Sequence, residues 1–173
     1  VVEEACEGLP GVSASQIEMN ANIQFYDGMT TKDIQNVLVR SANDLISLEA
    51  PNYQFAAARL LSYDVRKEAH GQYEYIPLVK LILRNIRLGV YDKGIVEKYS
   101  KTELKKLNTW IKRDRDLNFT YAGLRQVVDK YLVQDRSTGQ IYETPQDMYM
   151  MIAATLFADY PTKTRMTYVK KYY

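Results

Sequence analysis

The chain has 173 residues, of which 46% are hydrophobic, so it can bury a sizeable core as one domain or two. Its 23 basic and 21 acidic residues leave a formal net charge of +2 and form no block of like charges. This balance argues against a protein that binds nucleic acid through a basic stripe.

The first part of the chain predicts three helices in succession. Gly8 ends the first of them, which begins without a cap or a start methionine, so we expect an ordered piece of a longer chain. Ser13 and Thr30 have the spacing of helix caps for the second and third helices. In the third helix the apolar residues recur every three or four positions, at Ile34, Val37, Leu38, Ala42, Leu45 and Ile46.

Residues 53–69 predict a longer helix with two distinct faces. The expected core face comprises Tyr53, Ala56, Ala57, Leu60, Leu61 and Val65. The opposite face comprises Arg59, Tyr63, Arg66, Lys67 and His70. Gly71 ends the helix, and the connector that follows predicts a domain boundary between residues 72 and 73.

Beyond the connector, the pattern again predicts helices. Ser100 and Glu103 form a capping box for a helix whose inner residues include Leu104, Leu107 and Trp110. Its lysines are interpreted as a solvated face: Lys101, Lys105, Lys106 and Lys112. The run from Arg113 to Asp116 alternates in charge, which predicts local salt bridges of small energetic value.

Two β-prone runs around the polar loop 135–139 predict a small hairpin within residues 131–142. Thr144, Pro145 and Asp147 then have the pattern of a helix start. The helix expected over 145–159 is apolar nearly all round, which predicts burial on every side. We therefore expect Ile152, Leu156 and Phe157 in the core. The fold class is mostly α, with one small β-hairpin.

No catalytic constellation can be assembled from these residues. The chain has one cysteine, Cys6, and one histidine, His70, which excludes a disulfide framework, a cysteine-based zinc site and a site of several histidines. No membrane span or signal peptide is present, so a cytoplasmic protein is expected. Two features suit an anion: the helix start at Thr30 and Thr31, and the ring and cation of Tyr63 and Lys67. A solvated basic face is the commoner outcome for such a pattern.

The string DRDLNFTYAGLRQVVDKYLVQDRSTGQIYETPQDMYM, residues 114–150, resembles the N-terminal helical region of class I ribonucleotide reductase large subunits of the enterobacterial and T4-like phage type. The resemblance extends over essentially the whole chain. It implies that residues 1–72, with IQFYDGMTTKDIQ and APNYQFAAARLLSYDVRKEAHGQYE, are the later helices of an ATP-cone, which senses ATP as activator and dATP as inhibitor. Residues 73–173 would be the orthogonal helical domain that packs on the reductase barrel.

The resemblance also implies an allosteric nucleotide site. The family's phosphate-binding threonine and lysine fall on Thr31 and Lys67, and its nucleoside-flanking histidine and phenylalanine fall on Gln35 and Tyr63. Glutamine keeps hydrogen bonding but cannot be protonated, while tyrosine keeps the ring. The family's first strands and first half-helix have no counterpart here, so half of a site is expected, and the retention of dATP inhibition is open.

The whole family enzyme would reduce ribonucleoside diphosphates to their deoxy forms. The resemblance implies the barrel of the large subunit, a small radical-generating subunit and a second large subunit as partners, with no nucleic acid, membrane or metal. The family's catalytic residues lie in the barrel, so no catalytic residue is expected here. Two alternatives stay open: a stand-alone helical adaptor or split-gene fragment without nucleotide binding, and a nucleic-acid-binding domain using the face from Lys101 to Lys112.

Overall fold

The computed structural model describes all residues from Val1 to Tyr173 and is almost entirely helical. A short 3-10 helix at Arg113–Asn118 separates the seventh and eighth α-helices. In chain order the α-helices are α1 (Val2–Cys6), α2 (Ala14–Asn22), α3 (Thr31–Asp44), α4 (Tyr53–His70), α5 (Leu78–Arg87), α6 (Gly94–Lys98), α7 (Lys101–Trp110), α8 (Tyr121–Lys130), α9 (Pro145–Leu156) and α10 (Thr162–Tyr172). The mostly-α fold class is confirmed. No helix is both long enough and apolar enough to cross a membrane.

The helix starts follow the predicted caps. Thr30 caps α3 by accepting a hydrogen bond from the N–H of Asp33. Ser100 and Glu103 form the reciprocal capping box of α7, and Thr144 forms a second one at the start of α9. These caps satisfy N–H groups that have no partner within the helix, so the local sequence fixes where each helix begins.

The predicted hairpin is reduced to a single antiparallel bridge between Gln134 and Ile141. Its loop is held by Asp135, whose Oδ1 accepts hydrogen bonds from the N–H and hydroxyl of Ser137 at 2.8 and 2.6 Å. Gly139 closes the loop with φ of 76°, a left-handed conformation that glycine adopts without strain. The turn forms as expected, but the flanking segments are too short to build a ladder.

The chain divides into two compact units, and the division falls inside α4. The first unit comprises Val1–Val65 and Asp114–Tyr131, and the second comprises Arg66–Arg113 and Leu132–Tyr173. The functional division between residues 72 and 73 stays a prediction.

The first unit is held together by polar contacts as well as by buried apolar residues of α2, α3, α4 and α8. The Arg59 guanidinium donates to the carbonyl oxygens of Ala5 and Glu7, at 3.2 and 2.7 Å. The Tyr53 hydroxyl accepts from the N–H of Ser13 at 3.1 Å. Both tyrosine and arginine sit on α4, so this helix anchors the N-terminal segment of the unit.

The second unit has one apolar core to which α5, α6, α7, α9 and α10 all contribute. Its fully buried members include Leu78, Leu81, Ile82, Leu104, Leu107, Met150, Ala153, Ala154 and Val169. Trp110 and Met166 pack against this core from partly exposed positions. Of the inner residues predicted for α7, Leu104 and Leu107 are therefore buried, and Trp110 is partly buried.

Helix α9 is not buried on every side, and the prediction for two of its residues is wrong. Ile152 is 41% exposed and Leu156 is 54% exposed, while Phe157 is partly buried. The buried positions are instead Pro145, Gln146, Asp147, Met148, Met150, Ala153 and Ala154. Tyr149, Ile152 and Leu156 recur at helical spacing, so they share an apolar face that is partly exposed. The helix also ends at Leu156, three residues earlier than expected.

Candidate functional site

The start of α3 carries the threonine predicted to bind phosphate. Thr31 is the first residue of the helix and is exposed. The preceding residue, Thr30, uses its hydroxyl locally: Oγ1 accepts from the N–H of Asp33 at 3.1 Å and donates to its Oδ2 at 2.6 Å. The helix dipole favours an anion at this end. The exposed hydroxyl of Thr31 is therefore available where a phosphate would bind.

Gln35 lies one turn further along α3 and connects it to α4. Its Nε2 donates a hydrogen bond of 2.7 Å to the carbonyl oxygen of Leu60. Because this bond uses an amide N–H, the side chain is held in one orientation, and its Oε1 is directed away from that carbonyl. The structure thus brings the start of α3 next to the part of α4 that leads to Tyr63.

Tyr63 and His70 do not lie on a solvated face of α4. Tyr63 is only 8% exposed, and His70 is 5% exposed. Helix α4 is therefore covered on more than one side. A nucleoside beside Tyr63 would meet a ring that is already largely packed.

Lys67 follows Tyr63 by four residues in the same continuous helix. Its side chain is half-buried, and its Nζ lies 5.4 Å from the centre of the Tyr73 ring. This cation–π contact is worth about 0.5–1 kcal/mol at an exposed site, so it orients the ammonium group without trapping it.

Cys6 shows no sign of a chemical role. The thiol is unpaired, and burial raises its pKa although the nearby charge of Arg59 lowers it. A raised pKa keeps the thiol protonated and a poor nucleophile. No group of three or more histidine, cysteine, aspartate or glutamate residues in the chain is placed to hold a metal ion.

A buried polar network, which sequence reasoning missed, surrounds Asp147 in the second unit. The Arg113 guanidinium donates to Asp147 Oδ1 at 2.6 Å and to the Thr144 hydroxyl at 3.0 Å. His70 Nε2 lies 3.2 Å from Asp147 Oδ2, an electrostatic contact more than an aligned hydrogen bond. The N–H of Ile76 donates to His70 Nδ1 at 3.4 Å, which holds the ring with Nε2 facing the carboxylate.

The charge balance of this network depends on Asp147. Burial alone would raise the pKa of Asp147, but the contacts with His70 and Arg113 outweigh burial and hold it well below its usual value. The Tyr75 ring packs against both partners: Arg113 lies 4.3 Å from its centre, and the His70 ring meets it edge-on at 5.2 Å. Arg113 therefore does not form the local salt bridge predicted for the run from Arg113 to Asp116.

A second buried carboxylate lies beside this network. Glu143 accepts hydrogen bonds from the Tyr91 hydroxyl and, at 2.9 Å, from the N–H of Val133. Desolvation by burial outweighs these bonds and raises the pKa of Glu143 to about 7. Burial and the Glu143 carboxylate also raise the pKa of Tyr91 far above its usual value.

The only sequence signal for this network was the presence of polar residues inside otherwise apolar runs. Glu143 and Asp147 flank Pro145 in a stretch that buries most of its residues, and buried charges are almost always paired. The identity of the partners was not predictable, because Arg113 and His70 lie far from Asp147 in sequence.

Comparisons with known proteins agree with this architecture. A family model described as "Ribonucleotide reductase, all-alpha domain" matches residues 117–173. The chain is 46% identical over its whole length to the ribonucleoside-diphosphate reductase 1 subunit alpha of Escherichia coli K12, and 41% identical to the subunit alpha of Haemophilus influenzae. The subunit alpha of Enterobacteria phage T4 is 43% identical over 94% of the chain.

The chain covers only part of these relatives. It spans 23% of the length of the bacterial subunits and 22% of the phage subunit. The match falls in their N-terminal part, as the resemblance predicted. The chain therefore belongs to the ribonucleotide reductase alpha-subunit family and corresponds to the N-terminal part of those subunits.

Proposed function

We propose that this chain is the N-terminal regulatory and helical portion of a ribonucleoside-diphosphate reductase large subunit. It contributes an ATP/dATP site for overall activity and a scaffold, but no catalytic residue. The observation that carries this proposal is the 46% identity that extends over the whole chain. With Cys6 as its single cysteine, the chain cannot supply both a thiyl radical and a dithiol, which the family resemblance implies for the reduction.

Thr31 and Lys67 bind the phosphates in this proposal. The exposed position of Thr31 at the start of α3 supports its role, because hydroxyl, helix dipole and N-terminal amides act on the same anion. Lys67 would leave the Tyr73 ring to reach a phosphate. A charge-assisted hydrogen bond of roughly 1.5–3 kcal/mol exceeds the cation–π contact that it replaces.

Gln35 and Tyr63 flank the nucleoside in this proposal, each in a limited way. Gln35 already donates to the Leu60 carbonyl, so it offers a nucleoside its remaining amide atoms. Tyr63 is mostly buried, so it offers a ring edge instead of a whole face. These two residues would position α3 and α4 more than they would read the base.

The proposal divides the chain at residue 72, with the remainder of the ATP-cone before it and the helical domain after it. The parent enzyme would reduce ribonucleoside diphosphates in the cytoplasm, with the rest of the large subunit, a second large subunit and a small radical-generating subunit as partners. The partly exposed apolar face of α9 at Tyr149, Ile152 and Leu156 supports the rest of the large subunit as a partner. The relatives are about four times longer than this chain, so they contain further residues that could pack on such a face. Such a face would be covered by the remaining part of a large subunit.

Calorimetric titration with ATP and dATP tests the nucleotide site. Lys67→Ala should weaken both nucleotides by roughly one to two decades in a protein that also contains the strands and half-helix implied by the resemblance. The 173-residue chain alone should bind poorly, because it holds only part of the site.

Lys80→Ala is the matched control, since Lys80 is an exposed lysine of α5 outside the proposed site. It removes the same charge and should leave affinity unchanged. Equal affinity of the Lys67→Ala and wild-type proteins would show that Lys67 is only a surface cation, and would remove Lys67 from the site.

A further inference from the structure

An open cavity of about 520 Å³ lies between α7 and α10 in the second unit. Its lining consists of Lys106, Trp110, Met166, Thr167, Lys170 and Lys171. A second open cavity of about 740 Å³ adjoins it and shares Lys106 and Met166. The first cavity forms a groove between α7 and α10, with an apolar floor at its Trp110 end.

The Trp110 end of the groove has an unbalanced charge. Three of its six lining residues are lysines, and none is a carboxylate. Lys106, Lys170 and Lys171 take part in no ion pair, whereas nearby cations are neutralised: Arg165 by Glu103 at 2.7 Å and Lys98 by Asp159 at 2.6 Å. Groups of like charge without counter-charges raise the local potential and attract an anionic partner.

The lysines are arranged around the aromatic ring. Lys106 Nζ lies 5.8 Å and Lys170 Nζ lies 5.5 Å from the centre of the Trp110 ring. These contacts draw two ammonium groups from opposite helices toward one apolar surface. A partner that binds here meets an indole and a thioether flanked by positive charges.

We propose that this groove is an interaction surface for an acidic peptide segment of a partner protein, with carboxylates on Lys106, Lys170 and Lys171 and an apolar side chain on Trp110 and Met166. The lining supports both parts of this proposal. The three ammonium groups attract carboxylates, and further burial of the half-buried Trp110 ring and Met166 thioether would contribute favourable free energy of binding. The surface is separate from the proposed nucleotide site, none of whose residues lines it.

A peptide fits this surface better than a nucleic acid does. A nucleic-acid partner needs cations that follow several successive phosphates, whereas these three lysines surround a single cavity. The whole chain carries a net charge of only +2, so no extended basic track supports a backbone. The alternative of a nucleic-acid-binding face from Lys101 to Lys112 becomes an outcome of the test.

The probe is a blocked, fluorescein-labelled peptide of about twelve residues that places two phenylalanines among glutamates. Its binding to the 173-residue chain is measured by fluorescence anisotropy. The double variant Lys106→Ala/Lys170→Ala should weaken binding roughly tenfold, since two exposed ion pairs are lost. Replacing the phenylalanines of the peptide by serine should weaken it by a similar factor.

The matched control is Lys80→Ala/Lys130→Ala, which removes the same charge from exposed positions outside the groove. It should leave peptide affinity within about twofold. The proposal is overturned if both double variants bind equally, or if the peptide does not bind at about millimolar concentration. It is also overturned if an oligothymidylate of equal charge binds more tightly and loses that affinity in Lys106→Ala/Lys170→Ala.

Discussion

Helices α3 and α9 begin with the same four-residue pattern, yet the two starts have different surroundings. Thr30 and Asp33 form the cap of α3, and Thr144 and Asp147 form the cap of α9. The hydroxyl-to-carboxylate distance is 2.6 Å in both. Asp33 is partly exposed, whereas the Asp147 side chain is fully buried and contacts Arg113 and His70. The motif fixes a helix start in each case, but burial turns only the second into the centre of a network.

The difference shows how burial changes the value of one carboxylate. At the α3 start, water can replace any lost hydrogen bond, so the cap contributes about 1 kcal/mol. At the α9 start, removal of the carboxylate leaves a guanidinium and an imidazole without their anion in a desolvated site. The capping carboxylate at the start of α9 is therefore expected to contribute several times more to the free energy of unfolding than the one at the start of α3.

The largest expected effect is that of Asp147→Ala. Breaking a buried ion pair by removing one partner costs about 3–5 kcal/mol, because the remaining charge is uncompensated. We expect the free energy of unfolding, measured by urea denaturation, to fall by that amount, against about 1 kcal/mol for Asp33→Ala. Similar losses in the two variants would show that the network around Asp147 adds nothing to the cap.

Asp147→Asn removes the charge of this side chain and keeps its shape. The stability difference between this variant and wild type should therefore depend on pH. The folded-state pKa of Asp147 is held below the unfolded value, so its carboxylate stabilises the fold above about pH 4, and this stabilisation is lost as the pH falls. The stability difference between wild type and Asp147→Asn should therefore shrink between about pH 4 and pH 2. A constant difference over that range would contradict the assigned role.

A comparison within α9 tests whether burial, and not residue type, determines how much stability a substitution costs. Met150 is fully buried and Leu156 is 54% exposed, although both are large apolar residues of one helix. Met150→Ala should cost about 2–5 kcal/mol of unfolding free energy through lost burial and a cavity. Leu156→Ala should cost less than about 1 kcal/mol in the isolated chain. A large cost for Leu156→Ala would mean that its face is covered, for instance by self-association, which sedimentation would detect.

Glu143→Gln should abolish a pH dependence of stability that the wild-type protein shows. The pKa of Glu143 is raised from 4.5 to about 7, so the folded state retains a proton that the unfolded state releases, and stability falls as the pH rises between those values. The upper limit of that loss is about 3 kcal/mol, at about 1.4 kcal/mol for each tenfold change in proton affinity. Glu143→Gln should remove the decline and be the more stable form at pH 8. Parallel stability curves for the two proteins from pH 5 to pH 8 would contradict the prediction.

The smallest effect is expected for Thr30→Ala at the exposed cap. Loss of the hydroxyl that accepts from the N–H of Asp33 should cost about 1 kcal/mol, since water replaces it in part. Thr31→Ala is the matched control, because Thr31 follows the cap and its exposed hydroxyl is not the capping group. A thermal melt should show a lower midpoint for Thr30→Ala only.

The sequence predicted those parts of the fold that depend on neighbouring residues. Caps at Ser13, Thr30, Ser100 and Thr144 involve atoms three residues apart, and all four are present. The burial of α9 was not predictable in the same way. Whether Ile152 and Leu156 are covered depends on which elements pack against the helix, and apolar composition alone does not contain that information.

For the candidate site, the sequence and the resemblance gave the residues but not their surroundings. Nothing in the pattern of α4 distinguishes Tyr63, which is buried, from Lys67, which reaches the Tyr73 ring. The hydrogen bond from Gln35 to Leu60 joins positions 25 residues apart. Contacts of this kind depend on how helices pack against each other, which the spacing of apolar residues does not predict. The ligand-binding roles of these residues stay predictions.

The position of Trp110 gives the chain an internal optical reporter. It is the single tryptophan in the sequence, and its indole is half-buried with an ammonium group of α7 and another of α10 near the ring. The energy of indole emission depends on the charges and dipoles around the ring. Emission excited at the red edge of indole absorption, where the 15 tyrosines do not absorb, therefore reports on this one location. Any event that moves those two ammonium groups becomes visible as a spectral shift without a label.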